Sequence, residues 1–164
     1  MTYYTYFTSP LQPILLTSDG ASLTGLYVNG AAPESTWTRS DDAAPFAETR
    51  RQLSAYFDGG LQEFDLPLAP HGTPFQQLVW EELKTIPYGG TVSYGELARR
   101  IGSPGGSRAV GLANGRNPIS IIVPCHRVVG ANGKLIGYGG GLARKEALLA
   151  LEASVQGQGA LCFS

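Results

Sequence analysis

The chain has 164 residues, 43% of them hydrophobic, and a net charge of -1, enough for one good core or two small packed ones and too little for a large multidomain assembly. Its 22 Gly and 11 Pro are dispersed and only 15% of residues are charged, which argues against disorder and for a loop-rich globular fold. No apolar run reaches membrane-spanning length and no signal peptide opens the chain, so no membrane association is expected and the expected compartment is the cytoplasm.

From the N-terminus, Tyr3 to Phe7, Ile14 to Ser18 and Leu23 to Val28 read as strands, with Asp19-Gly20 as a turn. Gly30 to Asp42 is polar and reads as a surface loop, leading to a helix over Pro45 to Phe57 that stops at Gly59-Gly60. Leu61 to Leu68 is strand-like, and Pro67, Pro70, Gly72 and Pro74 then crowd into a domain connection near 70. Thr73, Pro74 and Gln76 form a capping box with proline at the first helical position, and Phe75, Leu78, Val79, Leu83 and Ile86 make an apolar face. Ser93 to Glu96 is a second capping box, opening a short helix. Ser103 and Pro104 open another that runs to Asn114, and the pair reads as a helix-turn-helix.

Charge is unevenly spread. Residues 1 to 90 carry a net -6 and residues 91 to 164 a net +5, so the second half can supply the sequence-independent attraction to a phosphate backbone, or simply a solvated charged face. In the second helix of the pair, Gly105, Gly106, Ser107, Ala109, Gly111 and Ala113 leave one side nearly bare, with Arg108 its one long cation. Such a helix can lie close to a backbone and offers few side chains to read base edges. Tight packing in a core would explain the small residues as well.

Two cysteines are present, Cys125 and Cys162, and the only histidines are His71 and His126. This argues against a disulfide framework and against structural zinc. The apolar Ile119 to Val123 reads as a buried strand delivering Pro124-Cys125-His126-Arg127. A lone cysteine there could be a small buried hydrophobe, but a neighbouring imidazole and guanidinium are what a nucleophilic thiolate needs. Adjacent residues on a strand face apart, so His126 reaches the thiol directly only in a turn, or otherwise through water. Glu152, placed at the end of a helix from Leu142, is opposed by the helix dipole and should have a partner; His126 or a nearby arginine would serve. Gly137 to Gly141 lacks phosphate-loop and dinucleotide spacing, which leaves ATP and NAD unsupported.

Asn117-Pro118, Ile121 to Val128, Gly137 to Gly141, Ser93-Tyr94 and Arg108 to Gly111 together resemble the methylated-DNA–protein-cysteine methyltransferases, the O6-alkylguanine-DNA alkyltransferases. The likeness is dense from 75 to 152 and looser before. It implies an α+β fold: a ribonuclease-H-like three-stranded unit with a helix over 1–70, a winged-helix-like DNA-binding and alkyl-acceptor domain over 71–154, and a flexible tail over 155–164.

The resemblance also implies the chemistry. Cys125 would take the alkyl group of O6-alkylguanine, or of O4-alkylthymine, in a single irreversible event without cofactor or metal. His126 would act through water as its base, Glu152 would orient His126, and Tyr94 would donate toward the departing guanine. Asn117 would tie the helix pair to the active-site loop, and backbone groups near Cys125, Val128 and Gly139 would meet the guanine edge; many relatives carry Ser or Ala at the position of Gly139. Tyr94, Gly95, Ser103, Arg108 and Ala131 would lie against double-stranded DNA in its minor groove, with Arg108 filling the space of the extruded base. The protein would be a monomer in solution, compatible with cooperative loading on DNA. A thiol hydrolase and a non-catalytic lesion-binding module are the competing readings, and Cys125 opposes the second.

Overall fold

The computed structural model describes residues 1–135 and 141–162, without the side chains of 158–162. It divides into two compact units: Met1–Gly72 with Pro118–Ile122, and Thr73–Asn117 with the chain from Val123 onward.

The first unit is a four-stranded sheet, β1 (Tyr3–Ser9), β2 (Gln12–Ser18), β3 (Leu23–Tyr27) and β4 (Thr38–Arg39), in the order β3-β2-β1-β4. The three expected strands form the antiparallel meander, and β4 joins parallel to β1. This fourth strand lies inside the segment expected as a loop. It is held by backbone bonds from Thr38 to Thr2 and from Ser40 to Tyr4, and two residues are too few to show a strand period. From Ile14 to Ser18 every residue of β2 is buried, so the central strand is covered on both faces.

Helix α1 (Phe46–Phe57) buries Phe46, Thr49, Gln52, Leu53 and Tyr56, one helical stripe. Gln52 donates to the carbonyl of Asp65 and accepts from its amide, each at 2.9 Å. The strand expected at Leu61 to Leu68 is absent: only Leu68 makes a single bridge, to Leu23, because the prolines around it cannot donate to a ladder. The outer edge of β3 is instead closed by two short pieces. Leu23 N donates to Pro67 O at 2.8 Å and Leu26 N to Pro118 O at 2.8 Å, with returns from Ala69 N to Leu23 O and from Ser120 N to Leu26 O. Covering an open edge in this way blocks pairing with a foreign strand.

The second unit contains α2 (Pro74–Leu83), β5 (Val92–Ser93), α3 (Tyr94–Arg100), α4 (Ser107–Gly115), β6 (Val128–Val129) and α5 (Leu142–Cys162). β5 and β6 pair in parallel. The Thr73 box is complete, Gln76 N donating to the Thr73 hydroxyl and Thr73 N to the Gln76 side chain. Trp80 on α2 donates its indole N–H to Ala113 O on α4 at 2.8 Å, fixing the small-residue helix to its neighbour. At Ser93 only half of the box forms, since Glu96 turns its carboxylate to Arg99 and Arg100.

Two helix ends differ from expectation. α4 begins at Ser107 and not after Ser103, because Gly105 sits at φ +81, a left-handed residue no helical first turn accepts. α5 continues beyond Glu152 to Cys162. Among the described residues no helix is long and apolar enough to cross a membrane.

Loss of the Thr73 hydroxyl orphans one amide of α2. Thr73→Ala should therefore cost about 1 kcal/mol in urea unfolding, with Cys125 reactivity unchanged.

Candidate active site

No strand leads to Cys125. Ile122 N donates to Ser120 O around Ile121, which has φ +72, and Cys125 N donates to Val123 O around Pro124 at φ -82, ψ 65. These are a γ-turn of the left-handed type followed by its inverse counterpart. Prolines at 118 and 124 leave too short a span for a ladder, and the positive φ of a β-branched Ile121 is a strained state that its complete burial must hold in place. Asn117 Nδ2 donates to Val123 O at 2.8 Å, and Asn114 Nδ2, at the end of α4, donates to the Cys125 carbonyl at 3.3 Å. Two asparagines thus fasten the turn that carries the thiol. Asn117 was singled out in the sequence. Asn114 was not, because a lone amide in a helix gives no periodic signal.

Cys125–Arg127 is a single 3-10 turn with all three side chains buried. Cys125 is 4% exposed. The turn aims His126 and Arg127 together at α5, where Glu152 is fully buried. His126 Nε2 lies 2.7 Å from Glu152 Oε2, while Arg127 donates to both carboxylate oxygens at 2.8 and 3.0 Å and to Ile86 O at 2.8 Å. Gly89 N adds a fourth bond to Oε1 at 3.1 Å. Both alternatives for the partner of Glu152 are therefore realised at once. The dipole reasoning that called for a partner does not hold, since Glu152 lies in mid-helix.

Burial raises the Glu152 pKa, but the hydrogen bonds from His126 and Arg127 outweigh it and bring the group from 4.5 down to about 2. His126 moves below 6.5, chiefly through complete burial, with Arg127 and Lys145 adding to the shift and Glu152 opposing it. It is a neutral imidazole near pH 7. Donation from Nε2–H to a carboxylate assigns the lone pair to Nδ1, and Nδ1 is buried without a protein hydrogen bond among the described residues. An acceptor nitrogen is thus present one residue from the thiol.

Tyr94 opens α3, half-buried, with its ring resting 3.7 Å from where a Cβ on Gly111 of α4 would sit. Its pKa is raised by burial first and by the charge of Cys125 second, which keeps the phenol a proton donor. Val128 is fully buried, Gly95 and Ser103 are half-buried, and Arg108 and Ala131 are exposed. Arg108 makes no ion pair among the described residues. Gly139 lies outside the described residues, as does the Cys162 side chain.

Two buried polar groups escaped the sequence reading as site members: Asn114 and Lys145. Lys145 is wholly buried, donates to the Val128 carbonyl and stands 5.8 Å from the Tyr94 ring centroid. A signal existed for it. Lys145, Leu148 and Glu152 fall on one stripe of α5, and all are buried.

Residues 2–70 match the family model for the ribonuclease-like domain of 6-O-methylguanine DNA methyltransferase, and residues 74–154 match that for its DNA binding domain. A methylated-DNA–protein-cysteine methyltransferase from Methanosarcina acetivorans is 56% identical over 159 residues, 93% of this chain and 99% of its own. Another, from Mycobacterium bovis, is 55% identical over 155 residues, 94% of each chain. The crystal structure of Mycobacterium tuberculosis OGT in complex with DNA is similar with a TM-score of 0.87 at 55% identity, over 93% of this chain and 94% of that one. An O6-methylguanine-DNA methyltransferase from Pyrococcus kodakaraensis gives 0.64 at 26% identity, over 93% and 99%.

Acid should weaken this unit in two stages. The unfolded chain protonates His126 near 6.5 and Glu152 near 4.5, whereas the folded chain resists both, the latter to about 2. The stability these groups add is present above those values and is lost as pH falls through them. Melting temperature should decline below pH 6.5 and again from 4.5 toward 2. Glu152→Gln should shrink the lower stage and cost about 3–5 kcal/mol at pH 7, since it strands a buried guanidinium.

Proposed function

Because the chain belongs to the 6-O-methylguanine DNA methyltransferase family, we propose that it repairs DNA by moving the alkyl group of O6-alkylguanine irreversibly onto its own Cys125. The observation that carries this reading is the buried, carboxylate-bound imidazole of His126, adjacent in the chain to a buried thiol, in a unit where α3 and α4 pack as a helix pair.

The thiol proton passes through water to His126 Nδ1, and Glu152 holds the resulting imidazolium. A sulfur electron pair then forms the S–C bond as the C–O6 bond breaks, and the pair left on O6 returns to the purine. Tyr94 donates toward the base, and the proton taken from sulfur makes good the balance, so thiol and alkylguanine become thioether and guanine. No water attacks the thioether, so each protein molecule acts once.

In a stacked duplex O6 faces the major groove, out of reach of a buried thiol approaching from the minor groove, so the nucleotide must be extruded at a cost of a few kcal/mol. Arg108, exposed on the bare side of α4, fills the space left behind. The small residues around it let α4 settle into the minor groove, where shape and phosphates are recognised more than sequence. Gly95, Ser103 and Ala131 approach the backbone, Asn117 holds the thiol-bearing turn, and Val128 and Gly139 offer backbone groups to the guanine edge. The protein acts as a monomer.

Intact mass after incubation with duplex DNA containing O6-methylguanine should rise by one methyl per protein and no more, and Cys125→Ser should gain none. Repeated turnover of an ester would instead indicate a hydrolase. Arg108→Ala should slow reaction with the duplex about tenfold or more while leaving reaction with free O6-benzylguanine nearly intact; equal losses would remove the wedge role. At Gly95 an added Cβ would come no closer than 3.8 Å to the rest of the chain. Gly95→Ala should keep its melting temperature yet react more slowly with duplex, because only DNA needs that space.

A further inference from the structure

Building on Cys125 as the alkyl acceptor, we infer that Lys145 is the counter-charge of the Cys125 thiolate and a positioning residue of the reaction. A wholly buried lysine is rare, since an ammonium out of water is costly unless its surroundings answer its charge. Lys145 sits in the second turn of α5, its own amide bonded to Gly141 O at 3.1 Å. Its ammonium donates to the carbonyl of Val128, three residues beyond Cys125, and stands over the Tyr94 ring at 5.8 Å. Val128 in turn donates its amide to the Cys125 carbonyl, so the residue that receives the ammonium is itself bonded to the residue that bears the sulfur, and the phenol lies beside that ammonium.

Among the described residues, the ionisable groups facing this region are Tyr94 from α3, His126 and Arg127 from the 3-10 turn, and Glu152 from α5. Glu152 is bonded by both Arg127 and His126. Burial pushes Lys145 toward neutrality and negative charge on Cys125 pulls it back, while Lys145 helps keep His126 neutral. The ammonium thus favours the two states needed before transfer, a thiolate and an unprotonated imidazole. It moves no proton. Its bond to Val128 O also fixes the direction of that carbonyl, leaving the second lone pair for the base.

The test is the pH dependence of Cys125 carboxamidomethylation by iodoacetamide, read by mass on the Cys125 peptide, in the unmodified protein, Lys145→Met and Lys145→Arg. A neighbouring opposite charge shifts a pKa by about one unit or more. Lys145→Met should therefore react roughly tenfold more slowly at pH 7 and reach the same plateau at high pH, while Lys145→Arg retains most of the reactivity. An unchanged midpoint, or equal slowing at every pH, overturns the inference, the latter because it signals altered access. Should Lys145→Met fail to fold, nitrogen-15 NMR of the Lys145 ammonium decides on the natural chain. Capping Cys125 with iodoacetamide should lower the pH at which Lys145 deprotonates, and no change would refute the pairing. Neither measurement uses DNA, so absence of methyl gain from lesion DNA would sink the repair reading while leaving this one separately decidable.

Discussion

One buried carboxylate receives hydrogen bonds from the imidazole of His126, the guanidinium of Arg127 and the amide of Gly89. Three segments distant in sequence meet there: the loop after α2, the turn bearing the thiol, and the middle of α5. Removing two charges from water is expensive, and the arrangement is tolerable only because every acceptor site on Glu152 is used. The same bonds select the tautomer of His126, keep Glu152 ionised and orient Arg127 toward Ile86 O. Stability and reactivity therefore depend on a shared set of atoms.

That dependence extends to the helix pair. The thiol-bearing turn is attached through Asn114 and Asn117 to the end of α4, and α4 is fixed by Trp80 to α2. The position of α4 thereby sets the position of the sulfur through two side-chain amides and a few backbone bonds. Among the basic residues of the second half, Arg99 and Arg100 share the carboxylate of Glu96, while Arg108 is exposed and makes no ion pair among the described residues. Small residues on the approaching side cost helix propensity and gain proximity.

What the sequence disclosed was local. The Thr73 box is legible because its donors and acceptors lie within four residues, and the adjacency of Cys125 and His126 announces a reactive thiol without any fold. Glu152 could be flagged as a charge in want of a partner, yet the choice between His126 and Arg127 was undecidable in one dimension, and packing lets it serve both. Apolarity misled at Ile119 to Val123, where a strand pattern is broken into γ-turns by flanking prolines and by an interior able to hold Ile121 at a positive φ. Lys145 was easy to misread for a related reason: it shares a stripe of α5 with Leu148 and Glu152, but lysine signals solvent, and only the assembled site makes its burial tolerable. β4 exists because β1 offers it an edge, a fact absent from its own two residues.

The edge-closing segment Pro118–Ile122 has a consequence for how this chain can be divided. It completes the sheet of the first unit, although 45 residues of the second separate it from Gly72. Excising the first 72 residues would leave Ile119, Ile121 and Ile122, now at most 8% exposed, as an ownerless greasy strip two residues from the thiol. A cut at Gly72 therefore parts the first sheet from the segment that seals its edge.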